Sequence, residues 1–207
     1  MSQKLIIFDM DGTLVNSSIT IANAINYVRK NLGFEPMQSE HILRLVNDPS
    51  INPAEKFYHA KVFDADHEKW FAEYYTKNHD TELELYEGIH EMLISLKEQG
   101  NLLAVATNAY RSSTIESLTH LKIYELFDGI ACYDDVPNGK PHPDMLYKLL
   151  DALNHNKEHS LFIGDGPRDE EASKRAGIPY IMVDWGFTEH TNAIKSVNAL
   201  KRLLIDV

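Results

Sequence analysis

The sequence predicts an α/β fold: a doubly wound parallel sheet, interrupted after its first strand by a small all-helical insertion. Three observations predict it. Short apolar runs recur with helical patterns between them, the mark of successive βαβ units. Several of those runs end in acidic or hydroxyl residues, at the strand ends where open α/β sheets bind ligands. Between Asn16 and Tyr86, strand-like runs are scarce and apolar residues keep helical spacing.

Leu5–Phe8 is continuously apolar, as a strand buried on both faces should be. It runs into Asp9 and Asp11, with Gly12 allowing a sharp turn and a close backbone approach. Taken alone, Asp-x-Asp-Gly reads equally well as an ordinary turn. An EF-hand loop is excluded by the missing third acid and downstream Glu.

In the insertion, Ile21, Ile25, Val28 and Leu32 share a helical face, followed by Ala54, Phe57, Tyr58 and Val62, then Trp70, Phe71, Tyr74 and Tyr75. Asn52-Pro53-Ala54-Glu55 reads as a helix start. The aromatic stripe from Trp70 to Tyr75 is expected to be packing rather than a ligand platform.

After the insertion, Ile89, Met92, Leu93 and Leu96 form a helix closed by Gly100. Strands are expected at Leu102–Thr107, Ile130–Tyr133, Leu161–Ile163 and Tyr180–Val183. Helices follow Pro143 (Leu146, Leu149, Leu150, Leu153) and Asp169 (Ala172, Ala176, then Gly177). The resulting division is a core of 1–15 and 87–207 and an insertion of 16–86.

Four segments in order, each at the end of an apolar run, carry a resemblance. They are Phe8-Asp9-Met10-Asp11-Gly12-Thr13; Ala106-Thr107-Asn108; Gly139-Lys140-Pro141-His142-Pro143-Asp144; and Gly164-Asp165-Gly166-Pro167-Arg168-Asp169. Together they resemble the motifs of the haloacid dehalogenase superfamily, over Lys4 to Val183, and within it the phosphoglycolate phosphatase-like members. The resemblance implies a Rossmann-like catalytic core with a helical cap inserted after the first motif. Two linkers, Val15–Ser18 and Glu82–Gly88, would let that cap open and close. The chain departs from the common pattern at Gly166-Pro167-Arg168, where small polar residues are usual, although both acids keep their places.

The resemblance also implies roles. Asp9 is the nucleophile that becomes an aspartyl phosphate, and Asp11 the acid and base at the leaving oxygen and the attacking water. Thr107, Asn108 and Lys140 hold the phosphate. So many acids beside a phosphate need a counter-charge, and an all-oxygen donor set suits Mg²⁺. Its ligands would be Asp9 and Asp165 through their carboxylates, Asp11 through its backbone carbonyl, and Asp169 through a metal-bound water unless it orients Lys140 instead. Alone, Lys140 would read as a surface lysine, and His142 as a cap or a solvated residue.

Composition narrows the partners. With 20 basic and 31 acidic residues, the net charge of −11 argues against nucleic acid as a partner. Lys4 is followed by only four apolar residues, short of an export signal, and no stretch reaches the length of a membrane span. With the resemblance, this implies a cytoplasmic enzyme acting on a small phosphorylated metabolite; the oligomeric state is left open, a monomer or a weak dimer being compatible. The single Cys132 is expected to be a small buried hydrophobe. No histidine pair has the spacing of a zinc site.

Asp11 and Asp165 count against a dehalogenase, and no insertion lysine (Lys30, Lys56, Lys61, Lys69 or Lys77) is marked out for phosphonatase chemistry. A phosphomutase of the β-phosphoglucomutase type remains an alternative, as does an inactive binding protein on the same fold. The segment Leu45–Ser50 could reach the site from the insertion, but it offers no cation for a second phosphate, and Arg44 is read as solvated.

Overall fold

The computed structural model describes residues 3–46, 48, 50–186 and 191–205. The chain divides into two compact units, Met1–Asn16 with Glu84–Val207, and Ser17–Leu83. The first unit opens with β1 (Leu5–Phe8) and β2 (Val15–Asn16). The second unit follows as α1 (Ser18–Asn31), α2 (Ser39–Val46), α3 (Pro53–Tyr58) and α4 (Ala65–Glu82). The chain then returns to the first unit with β3 (Glu84–Leu85), α5 (Ile89–Glu98), β4 (Leu102–Ala106) and α6 (Arg111–His120). It ends with β5 (Gly129–Ala131), α7 (Asp144–Ala152), β6 (Ser160–Gly164), α8 (Pro167–Ala176), β7 (Tyr180–Met182) and α9 (Val197–Ile205).

The first unit holds a parallel sheet in the order β5-β4-β1-β6-β7. Leu5 lies opposite Leu102 on one side and Ser160 on the other, so β1 is central and all four of its residues are buried. Leu5, Ile7, Ala104, Ala106 and Phe162 pack under Met145, Leu146 and Leu149 of α7 and Ala172 and Ala176 of α8. Burying a large apolar side chain contributes roughly 1.5–3 kcal/mol. From β1 the chain winds outward to β4 and β5, then crosses back to β6 and β7. That reversal opens a crevice beyond the carboxyl ends of β1 and β6, the place where doubly wound sheets bind ligands. Asp9 directly follows β1 and Asp165 directly follows β6.

β2 and β3 form an antiparallel ribbon, Val15 opposite Leu85 and Asn16 opposite Glu84. Each of the two segments read as linkers therefore carries one strand of that ribbon.

The second unit packs Ala22, Ile25, Val28, Ile42, Phe57 and Tyr58, with Trp70 and Phe71 against them. α3 starts as its sequence says, with Asn52 Oδ1 accepting from Ala54 N at 3.0 Å. It stops earlier than the apolar spacing suggests. His59 turns left-handed (φ 56°), and the N–H groups of His59 and Ala60 close on Glu55 O and Ala54 O. Val62 is left outside the helix and 72% exposed. Asn47 and Pro49 of the Leu45–Ser50 segment lie outside the described residues.

Strand ends shift by a residue or two from the sequence reading. β4 stops before Thr107, β5 before Cys132, and β7 before Val183, which bridges to Ile194. Cys132, directly after β5, is fully buried. Among the described residues, no helix is long and apolar enough to cross a membrane.

Candidate active site

The first strand delivers Asp9 into a tight turn. Asp9 N still donates to Ile163 O at 2.8 Å, so the sheet ladder holds its backbone. The chain then folds back on itself: Leu14 N and Val15 N both donate to Met10 O at 2.9 Å, and Gly12 N donates to Val15 O at 2.9 Å. Gly12 has φ +80°, and a Cβ there would stand 2.3 Å from Asp165 Oδ2. Only glycine lets this turn press against the acid at the end of the neighbouring strand.

Lys140 organises the acids. Its ammonium lies 2.7 Å from Asp9 Oδ1 and 2.7 Å from Asp169 Oδ1, and it donates to Ala106 O at 2.8 Å. Its side chain is 3% exposed and stands over the Phe162 ring, 5.5 Å from the centroid. Asp9 Oδ1 also accepts from Met10 N at 2.8 Å, and Asp169 Oδ2 from Gly166 N at 3.2 Å. Asp165 Oδ1 accepts from the Thr13 hydroxyl at 3.4 Å. Asp9, Asp165 and Asp169 can each offer one oxygen within 4.8 Å of the others.

Three carboxylates around one ammonium strain the charge balance. Burial, reinforced by Asp169, pushes the Asp9 carboxyl up to about 7, although Lys140 pulls the other way. Burial and then the charges of Asp9 and Asp169 hold Asp165 well above the ordinary aspartate value. Burial works against the Lys140 charge, but Asp169 and Asp9 outweigh it and raise the lysine. Such a cluster is short of positive charge, and its donors are all oxygens. A hard divalent cation fits that set.

Thr107 and Asn108 extend β4 towards the same crevice. Thr107 is 2% exposed; its N donates to Ala131 O at 3.0 Å and its Oγ1 accepts from Ala109 N at 3.1 Å. The Asn108 side chain turns to the lysine loop. Its Nδ2 donates to Lys140 O at 3.0 Å and its Oδ1 accepts from Lys140 N at 2.8 Å. Gly139 is wedged there, since a Cβ would stand 2.7 Å from both Asn108 Oδ1 and the Tyr133 ring. Asp11, two residues beyond Asp9, pairs with Val15 by a backbone bridge. His142 is exposed.

A model of the haloacid dehalogenase-like hydrolases matches residues 6–183, a span that includes all four acids, Thr107, Asn108 and Lys140. The chain belongs to this family. Pyrophosphatase PpaX of Bacillus cereus (strain B4264) is 31% identical over 188 residues, covering 89% of this chain and 85% of that protein. A crystal structure of a predicted phosphoglycolate phosphatase from Haemophilus somnus 129PT superposes with a TM-score of 0.77 at 29% identity, covering 87% of this chain and 85% of the other. A predicted phosphatase from Clostridium acetobutylicum, with TM-score 0.85, 23% identity and full coverage of both chains, speaks for the fold alone. This haloacid dehalogenase-like hydrolase is an enzyme of the phosphatase kind.

The sequence reading of the hydrolase site passed over several residues. Trp185, just past β7, donates from Nε1 to Thr13 O at 2.9 Å and so ties down the turn that follows Asp9. Its ring lies 6.0 Å from that of Tyr86. Burial, with Asp165, Asp11 and Asp184 adding, pushes the Tyr86 phenol up, so it stays protonated. Tyr180 donates to Gly166 O at 3.3 Å and packs on Phe162 under the lysine. One signal could have found Trp185, which lies just past the carboxyl end of β7; Tyr180, at the amino end of that strand, carries no such signal.

Proposed function

We propose that the protein is a Mg²⁺-dependent phosphomonoester hydrolase of small phosphorylated metabolites, working through an aspartyl phosphate on Asp9. The observation that carries the reading is the cluster of Asp9, Asp165 and Asp169 about one buried ammonium, at the point where the sheet reverses. Asp9 and Asp165, with the Asp11 carbonyl, would hold Mg²⁺, and Asp169 orients Lys140. When bound, the ion neutralises phosphate oxygens and so lowers the barrier to attack.

The chain's own residues do the rest. An Asp9 carboxylate oxygen attacks phosphorus as the bond to the ester oxygen breaks, and Asp11 gives that oxygen its proton. Water then attacks the aspartyl phosphate while Asp11 takes the water's proton. The phosphorus–Asp9 bond breaks, inorganic phosphate leaves, and Asp9 returns to its starting state. Lys140 balances the charge that Asp9 and the phosphate share, and the Thr107 hydroxyl donates to a phosphate oxygen. The unit Ser17–Leu83 is read as the family's cap. A cytoplasmic setting goes with this reading.

The test is phosphate release from pyrophosphate, phosphoglycolate, sugar phosphates and nucleotides, with Mg²⁺ and with EDTA. Release from at least one of the phosphomonoesters, abolished by EDTA and restored by Mg²⁺, is expected. No release from any, or release indifferent to EDTA, defeats the proposal.

A further inference from the structure

Asp9 and Asp11 are held by different means. Asp9 N is bonded to Ile163 O at 2.8 Å, so the sheet fixes the backbone of Asp9. Asp11 lies past that bond, in a turn whose own bonds point inward. Thr13 N, Leu14 N and Val15 N all donate to Met10 O, and Gly12 N donates to Val15 O. A turn closed on itself keeps its shape, but outside ties must keep its place. Among the described residues such ties come, besides the β2–β3 ribbon, from Tyr86 N to Leu14 O at 3.2 Å, from the Thr13 hydroxyl to Asp165 Oδ1 at 3.4 Å, and from Trp185 Nε1 to Thr13 O at 2.9 Å. All of them lie within the first unit. The Trp185 bond is the shortest of these three.

Trp185 is presented from a fixed base. Ile194 N donates to Met182 O at 2.9 Å and Asp184 N to Ile194 O at 3.0 Å, which prolongs the edge of β7 up to the tryptophan. The buried Asp184 carboxylate pairs with Lys195 Nζ at 2.5 Å and accepts from Gly186 N at 2.9 Å. The residues on both sides of Trp185 are therefore pinned. Its ring also lies against that of Tyr86, with centroids 6.0 Å apart. At the other end of the bond, Thr13 is buried, and a buried carbonyl needs a donor. An indole N–H can donate and cannot accept, so it fits that need in one direction only.

We propose that Trp185 is a positioning residue for Asp11: its hydrogen bond to Thr13 O sets where the Asp11 carboxyl stands relative to the leaving oxygen. This rests on the reading of Asp9 as nucleophile and Asp11 as proton donor in the same site. Loss of the bond leaves Asp9 on its strand with Lys140 beside it, and loosens the turn two residues on. Attack on phosphorus then keeps its geometry. Delivery of a proton to the ester oxygen, as its bond to phosphorus breaks, does not. A misplacement of about 1 Å in such a group costs up to about a hundredfold in rate.

The test replaces Trp185 with Phe, which keeps a ring against Tyr86 but has no N–H. Phenyl phosphate and p-nitrophenyl phosphate differ chiefly in how much the leaving oxygen needs a proton, because the nitro group stabilises the phenolate. The quotient kcat/KM covers binding through transfer to Asp9, so it reports proton donation and not the later attack by water. A well-placed proton donor supplies roughly 10²–10⁴-fold, and in Trp185→Phe the kcat/KM ratio of phenyl over p-nitrophenyl phosphate should fall by about fivefold of this. Amide hydrogen exchange of the full chain in EDTA is the second readout. Exchange at Thr13, Leu14 and Val15 should quicken about tenfold in Trp185→Phe, while β4 keeps its wild-type rates. An unchanged ratio, or a quickening that β4 shares, overturns the proposal. If the wild type turns over neither aryl ester, exchange alone decides: selective quickening upholds the placement of the Asp11 turn by Trp185, and none overturns it. Phosphate release from no ester of any kind counts against the phosphatase reading only.

Discussion

Gly12→Ala tests how closely the turn after Asp9 is built against the acid that ends the neighbouring strand. The added Cβ would stand 2.3 Å from Asp165 Oδ2 and 2.6 Å from its Cγ, on a backbone with φ +80°. Left-handed φ costs an L residue about 1–2 kcal/mol. Overpacking a well-filled site adds about 1–3 kcal/mol. Either Asp165 leaves its place or the turn carrying Asp9 and Asp11 deforms. A displacement of about 1 Å in a catalytic group costs about a hundredfold in rate. Gly100→Ala is the matched control in the same unit: its φ is +82°, yet nothing lies within 4 Å of the added Cβ. Thermal melting should show both variants destabilised, Gly12→Ala by more. Phosphate-release assays should show activity lost at least a hundredfold in Gly12→Ala and unaffected in Gly100→Ala. Equal activity in the two variants would refute the argument from close approach, whatever their melting points.

The other predictions concern the charge cluster. Asp9→Asn should lower turnover by several orders of magnitude, read as phosphate release; a loss smaller than tenfold, about 1.4 kcal/mol of barrier, would remove Asp9 from the role of nucleophile. Asp9→Asn should also stabilise the metal-free protein in a pH-dependent way. With the folded carboxyl at about 7 and the unfolded one at 3.8, the folded state binds the extra proton between these values. Wild-type stability from this group is therefore complete below pH 4 and is lost as pH rises through 7. The advantage of the Asn variant in EDTA should be absent at pH 4, grow to about 4 kcal/mol at pH 7 and then level off, as denaturant melts can show. Lys140→Met strands Asp9 and Asp169, and should destabilise the protein by about 3–5 kcal/mol at pH 8, less at pH 5 where Asp9 is protonated. Asp165→Ala should raise the Mg²⁺ concentration needed for half-maximal activity sharply; an unchanged Mg²⁺ titration would count against Asp165 as a ligand.

The fold was legible wherever one element's residues announce it. β1 shows itself as an apolar run cut off by an acid, and α3 by the Asn-Pro-Ala-Glu start that its Asn52 cap realises. Lys140 could be found only through its setting in a motif. Nothing in its neighbours along the chain reveals a buried ammonium between two acids, because the partners come from the end of β1 and from α8. Trp185 and Thr13 meet across 172 positions, and no local period reports such a contact. Val62 shows the opposite failure. Its spacing fits the helix, but the left-handed turn at His59 ends the helix first, and backbone capping wins over apolar pattern.

The lysine's hydrogen bonds sharpen the proposed division of labour. An ammonium has three N–H donors, and those of Lys140 go to Asp9, Asp169 and the Ala106 carbonyl. A phosphate could take one only by displacing a bond already made in a buried site. Lys140 is therefore better suited to set the charge and orientation of Asp9 than to grip the substrate. Thr107 is placed the other way: its oxygen accepts from Ala109 N, which leaves the hydroxyl proton to donate. Asn108 then gains a reason that its own side chain does not show. By clamping the Lys140 backbone through both amide atoms, it holds the ammonium in register with Asp9. On the proposed mechanism, Asn108→Ala should therefore lower kcat more than it raises KM. A pure KM effect would return Asn108 to direct phosphate binding.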